Sequence, residues 1–150
     1  MVAQDRPEVV ATRTELTIKV DGLLDEPVWA TIKPITEFVQ RLPLDGGEPT
    51  EKSEMRVAYN NNFIYFGFTF FDSDPEKVRA TILNRGGWIH RDDKLEIALD
   101  TYHDRRNAYL FEMNPLGTQD DALITDENRP GLDEWAWDGV YISEGKVTDF

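Results

Sequence analysis

Apolar and polar side chains alternate with a period of two along much of this chain, the spacing of strands with one buried face. Leu16, Ile18 and Val20 share one side of residues 15–20, which predicts a first strand after a loose polar leader over residues 1–14. Residues 38–42 (FVQRL) read as a short strand or edge. Met55, Val57 and Tyr59 alternate with Arg56 and Ala58, and residues 63–71 (FIYFGFTFF) are apolar on both faces, as expected of a central strand covered on both sides. Asn60, Asn61 and Asn62 between them predict a tight turn, because Asn tolerates left-handed backbone and hydrogen-bonds its own main chain. A helical turn is expected at residues 75–77, and residues 78–83 fit strand and helix spacing alike and are read as a strand.

The pattern is clearest over residues 91–121. Leu95, Ile97 and Leu99 alternate with Glu96 and Ala98; residues 100–106 carry no long aliphatic side chain and form a polar connection; residues 107–113 resume the alternation. Asn114-Pro115-Leu116-Gly117 then predicts a turn, Pro presetting φ and Gly accepting a positive one. Brief strands follow at 122–125 and 137–143, separated by a polar loop, and residues 147–150 open a strand at which the chain stops. A short helix is expected near Pro27, capped by Asp25, with Trp29 pointing into the core. Residues 43–54 and 84–91 are loops, the second carrying Trp88 and His90. Closely spaced strands without a sustained helix predict an all-β chain, an antiparallel β-sandwich over residues 15–150.

Composition narrows the chemistry. The 150 residues are 40% hydrophobic, consistent with a globular chain, and 16 Lys and Arg against 29 Asp and Glu leave a formal charge of -13. A field of that sign repels phosphate backbones and anionic membranes and suits neutral sugars or cations, although an acid excess also serves solubility alone. With no cysteine there are no disulfides and no thiolate sites. His90 and His103 lie thirteen apart without a partner motif for zinc. Nucleophile-elbow, zinc-protease, P-loop and dinucleotide fingerprints are absent, and with so many acids some carboxylate pair will match a glycosidase spacing by chance. The sequence therefore reads as non-catalytic.

Four stretches, VDGLLDEPVWA, MRVAYNNNFIYFGFTFFDSDP, RDDKLEIALDTYHDRRNAYLFEMNPLGTQDD and WDGVY, resemble in their order the family 9-like carbohydrate-binding modules. The likeness is closest to the N-terminal domain of DUF5916-type bacterial proteins, in which such a domain precedes an outer-membrane β-barrel region. The resemblance covers the chain from about Leu16. It implies a DOMON-like β-sandwich, an exported periplasmic or cell-surface location, and sugar binding as the inherited function. The family domain continues past the point where this chain ends, so a truncated sandwich is expected.

Family 9 modules clamp a sugar ring between two tryptophans, one lying just before a D-x-x-E strand motif. Asp93-Lys94-Leu95-Glu96 matches that motif and Trp88 precedes it, slightly further upstream than the pattern places it; for the second clamp only Trp135 and Trp137 are available. If Trp137 opens a strand it packs inward and leaves Trp135. An exposed indole stacks on the C–H face of a pyranose, the alternative being hydrophobic cover for the loop. Arg85, Arg91, Asp92, Asp93, Arg105, Arg106, Asn107, Asn114, Gln119 and Asp120 can hydrogen-bond hydroxyls, or can brace turns against strand ends through salt bridges. Calcium is the cofactor to consider, with Asp72, Asp74, Asp120 and Asp121 as oxygen ligands in short acidic loops. The competing expectation is a structural or interaction domain of a larger outer-membrane protein that binds no sugar, or that associates with itself through an open strand edge.

Overall fold

The structure, a computed structural model, describes residues 8–127, 130–131 and 134–148. Among these, six strands form two three-stranded sheets, accompanied by one five-residue helix and three single turns of 3-10 helix. The fold is all-β. The chain divides into two compact units, one holding the chain up to Lys19 with Leu24–Ser73, the other Val20–Leu23 with the chain from Asp74 onward.

In the first unit β2 (Ser53–Tyr59) is central, with β1 (Thr12–Arg13) parallel on one side and β3 (Ile64–Phe70) antiparallel on the other. The Asn turn forms as its chemistry requires: Asn60 Oδ1 accepts from the N–H groups of Asn62 and Phe63, each at 2.9 Å. Ile18, Trp29, Ile32, Ala58 and Tyr65 make the core. Trp29 lies on the helix α1 (Pro27–Thr31), and its ring passes so close to β3 that a Cβ on Gly67 would lie 3.1 Å from it and 2.9 Å from Leu24.

Four expectations fail in this unit, each for a local reason. Residues 15–20 are not a strand. Pairing ends with the Thr14 N–H on the Tyr59 carbonyl, and the Thr14 hydroxyl then takes the Leu16 N–H at 3.1 Å, drawing the chain off the ladder while Ile18 still packs inward. The strand instead falls at Thr12–Arg13, within the stretch expected to be leader; residues 1–7 lie outside the described residues. The centrally placed strand is β2, buried at Val57 on one face and Ala58 on the other, whereas β3 is an edge with Ile64 and Phe70 half exposed. Asp25 does not cap α1: Glu26 holds the cap position, and its carboxylate anchors the Trp29 indole N–H at 2.9 Å and the Lys19 N–H at 2.8 Å. Residues 38–42 contribute one bridge, Gln40 to Gly47, and no strand.

The second unit is an antiparallel meander of β4 (Leu95–Leu99), β5 (Ala108–Met113) and β6 (Gln119–Ile124). Both predicted connections form. Gly117 donates to the Asn114 carbonyl at φ 79°, and the charged loop between β4 and β5 is organised by Asp100 and Asp104, whose carboxylates accept from the main chain of residues 104–107. The single turn at Pro75–Lys77 also forms. The register sets Glu96, Glu112 and Asp120 side by side on one face of the sheet. On the other face Trp137 lies against Tyr109 and Phe111, and Tyr141 against Phe111.

Two predicted strands of this unit are not strands. Among the described residues, 78–83 join no sheet, because carboxylates occupy the amides of Arg79, Thr81 and Ile82 that a ladder would use. Residues 137–143 are likewise held by side chains, through Gly139 and Tyr141. Part of the loop expected between residues 122–125 and 137–143, namely 128–129 and 132–133, and residues 149–150 of the strand expected to open at 147 lie outside the described residues.

Candidate functional site

The loop bearing Trp88 is fixed from behind by one carboxylate. Asp92, buried at the end of a 3-10 turn (Ile89–Arg91), accepts from the Thr81 N–H at 2.8 Å, the Ile82 N–H at 2.9 Å, the Thr81 hydroxyl at 2.8 Å and the Asn114 amide at 3.0 Å. Burial works to raise its pKa, but the bonds from Ile82, Asn114 and Thr81 prevail and hold it at about 2. Asp93 accepts the Arg79 N–H at 2.7 Å and returns its own N–H to the Arg79 carbonyl.

Asn114 is the hub of this brace. Only 1% of it is exposed, and its amide uses its whole capacity: Nδ2 donates to the Ile82 carbonyl and to Asp92, and Oδ1 accepts from Leu116 and Thr118. The turn that opens with Asn114 is thus tied to residue 82 and, through Asp92, to the Trp88 loop. Ile89 is fully buried. Its neighbour Trp88 has left-handed backbone (φ 61°, ψ 51°) and is 65% exposed, its ring 5.0 Å from that of His90. Adjacent residues of one loop therefore divide into an anchor and a projecting indole.

A second brace gathers the other predicted groups. Arg85 Nη2 reaches Asp121 Oδ1 and the Gly139 carbonyl at 2.7 Å each and Asp138 at 2.9 Å, and Asp121 also accepts the Gly139 N–H. The hydrogen bond to Asp121 raises the Arg85 pKa, so the guanidinium stays charged. Gln119 donates to the Tyr141 carbonyl and the Ser143 hydroxyl, and Ser143 donates to the Gly117 carbonyl. The Tyr141 hydroxyl lies 2.9 Å from the carbonyls of both Glu112 and Asp120, where its single proton serves one at a time.

The predicted hydroxyl-binding set is therefore divided by the fold. Asp92, Asp93, Asn114, Gln119 and Arg85 are committed to holding loops. Arg106 pairs with Asp126 at 2.8 Å, and Asn107 bonds Asp104 and the Asp126 N–H. Asp120 accepts the Asp121 N–H and is shifted upward by burial. Arg91 and Arg105 are exposed, Arg105 at φ 61° in the β4–β5 loop. Trp135 lies in the 3-10 turn Glu134–Ala136, about one-third exposed, while Trp137 is half-buried on β5. Trp135 and Trp137 thus do not share one side of a strand.

The acids considered for calcium are not gathered. Asp120 and Asp121 are successive residues of β6 and point to opposite faces, Asp121 is taken by Arg85, and Asp74 is paired with Lys77. Among the described residues no group of three or more His, Asp or Glu side chains is arranged to hold a metal ion.

Two features escaped the sequence reading. Glu112, 3% exposed on β5, bonds Lys94 Nζ at 2.7 Å, and Lys94 also bonds Glu96 at 2.6 Å; burial pushes the Glu112 carboxyl up to about 7 against the pull of Lys94. Its one sequence signal is a charge inside the run AYLFEM. The second is a shallow groove of about 340 Å³ beside Tyr102, lined in part by Asp104, Asn107, Tyr109, Leu123 and Thr125.

The chain is an all-β protein whose loops are braced by buried carboxylates and amides and present single aromatic rings to solvent. Comparison with protein-family models, with curated proteins and with solved structures finds no match.

Proposed function

We propose that this chain is a non-catalytic carbohydrate-binding domain of the β-sandwich type, part of an exported bacterial protein, and that Trp88 is its principal sugar contact. The observation that carries the reading is the projecting indole: 65% exposed, in left-handed backbone, on a loop whose neighbouring residue Ile89 is fully buried. An exposed indole offers a large apolar face for a ligand to cover, and hydrogen bonds hold its loop in place beforehand, so little entropy is lost on contact. The flat indole suits the C–H face of a pyranose, and the net charge of -13 favours a neutral partner. Arg91 and Trp135 remain exposed for further contacts, whereas Asp92, Asn114, Gln119 and Arg85 act by shaping the loop rather than by touching sugar.

Titration with a panel of mono- and oligosaccharides, followed by tryptophan fluorescence in the intact chain and in Trp88→Ala, tests the proposal. Saturable binding that Trp88→Ala removes supports it. Absence of binding across the panel, or binding indifferent to Trp88, overturns it.

The second reading, an N-terminal structural or interaction domain of an outer-membrane β-barrel protein, is favoured by one observation: nearly every polar group expected at a sugar site is already consumed within the fold. A chain that binds no glycan yet associates stably with a membrane-barrel region encoded beside it would establish that reading.

A further inference from the structure

The groove beside Tyr102 carries chemistry that the Trp88 loop does not share. The Tyr102 ring is 66% exposed and stacks at 6.3 Å on Tyr109, whose other neighbour is Trp137 at 5.0 Å, so a partly exposed aromatic row runs from the loop onto β5. The two phenol oxygens lie 3.2 Å apart. Two hydroxyls in one such contact use a single proton between them; the other proton is left to donate and the remaining lone pairs to accept. Leu123 of β6 adds an aliphatic floor, and Asn107 keeps one amide proton beyond that given to Asp104.

The loop bearing Tyr102 is preorganised. Asp100 accepts from the N–H groups of Asp104 and Arg105, Asp104 from those of Arg106 and Asn107, and His103 and Arg105 are held at φ 55° and 61°. Asn107 in turn accepts the Asp126 N–H, which ties the loop to the end of β6. A groove of about 340 Å³ is at the small end of ligand sites, the size for one ring rather than a long chain.

We infer that this groove is a binding site for a single neutral pyranose unit, stacked on Tyr102 and hydrogen-bonded by the tyrosine pair. Asp104 in its wall and the overall negative charge disfavour acidic sugars. The inference shares no residue with the Trp88 site and does not rest on it.

Amide chemical-shift mapping of the intact chain with methyl glucopyranoside, galactopyranoside, mannopyranoside and xylopyranoside at millimolar concentrations tests it. Shifts confined to residues 102–109 and 123–125 are expected for at least one of the four. Tyr102→Ala, at a position 66% exposed, should weaken that binding about tenfold, the contribution of one aromatic face, and Tyr102→Phe should weaken it less because the ring remains. Shifts at Trp88 alone would overturn this site while supporting the function proposed above; shifts in the Tyr102 groove alone would do the reverse. No shift with any pyranoside, or binding unchanged in Tyr102→Ala, refutes it.

Discussion

Removing the Asn114 side chain tests whether the loops of the second unit are held as described. Asn114→Ala deletes four hydrogen bonds at once, to the Ile82 carbonyl, to Asp92 and from the N–H groups of Leu116 and Thr118. At a net value of about 1 kcal/mol each, the loss is ~4 kcal/mol if nothing replaces them, and about 2 kcal/mol if water reaches the two turn amides. Against a domain stability on the order of 5–15 kcal/mol, either figure is large. Urea unfolding at pH 7, followed by tryptophan fluorescence and circular dichroism, measures it. A loss below about 1 kcal/mol would refute the hub role. Asn114→Asp sharpens the test, because it replaces the donor facing Asp92 with a second carboxylate of the same shape. Its deficit relative to the native chain should shrink as the pH falls, since a proton on either carboxyl restores a donor between them. A deficit independent of pH would mean that Asp92 is not the ionised partner.

Two predictions concern packing and titration elsewhere. Gly67→Ala should cost about 1–3 kcal/mol in the same unfolding assay, because the new methyl group meets Leu24 at 2.9 Å and Trp29 at 3.1 Å; an unchanged stability would show that β3 can move away from the indole. Glu112, raised from 4.5 to about 7 in the folded chain, binds a proton more tightly there than when unfolded, so its contribution is complete below about pH 4.5 and fades as the pH rises through 7, and Glu112→Gln should flatten that part of the stability profile. A Glu112→Gln profile that keeps the native slope between 4.5 and 7 would refute the Glu112 assignment. Asp92 has the opposite sign: its folded value of about 2 adds stability above its ordinary 3.8 that is lost as the pH falls toward 2.

The strands that the alternating pattern locates well are those whose partners are near in sequence. Residues 55–59 and 63–71 meet across an Asn turn, and residues 95–99 and 108–113 across the charged loop; the strand read at 122–125 begins earlier, at Gln119, and takes in the acids read as a loop. Where the pattern misleads, side chains have taken over the role of a partner strand. Val78 to Leu83 alternates like a strand, but its amides go to Asp92 and Asp93, a pairing across some ten residues that no periodicity encodes. Residues 137–143 repeat the case through Asp121, Arg85 and Gln119. Trp88 stood out in the sequence because two glycines and a polar loop surround it, and it is exposed in the structure. The Tyr102–Tyr109 pair did not, since the two residues meet only when the charged connection folds back onto β5.

The same commitments bear on how such a surface can recognise a ligand. A polar side chain contributes to binding only with capacity that the fold has left unused; Asn114 and Asp92 have spent theirs on main-chain groups, on the Thr81 hydroxyl and on each other, and Arg85 is drawn to Asp121 and the Gly139 carbonyl. Pulling any of them toward a sugar would orphan a buried partner, at a cost comparable to what the new contact returns. Aromatic faces are under no such constraint: Trp88 and Tyr102 can be covered without breaking anything. Recognition then depends on ring stacking, with the few uncommitted hydroxyl and amide groups setting orientation. An isolated stacking contact contributes roughly 1 kcal/mol beyond the area it buries, so one ring on one platform binds weakly, near the millimolar level that corresponds to about 4 kcal/mol. The density of acids and arginines around these loops is thus a measure of how firmly the platforms are held, and the identity of what they hold is written in the aromatics.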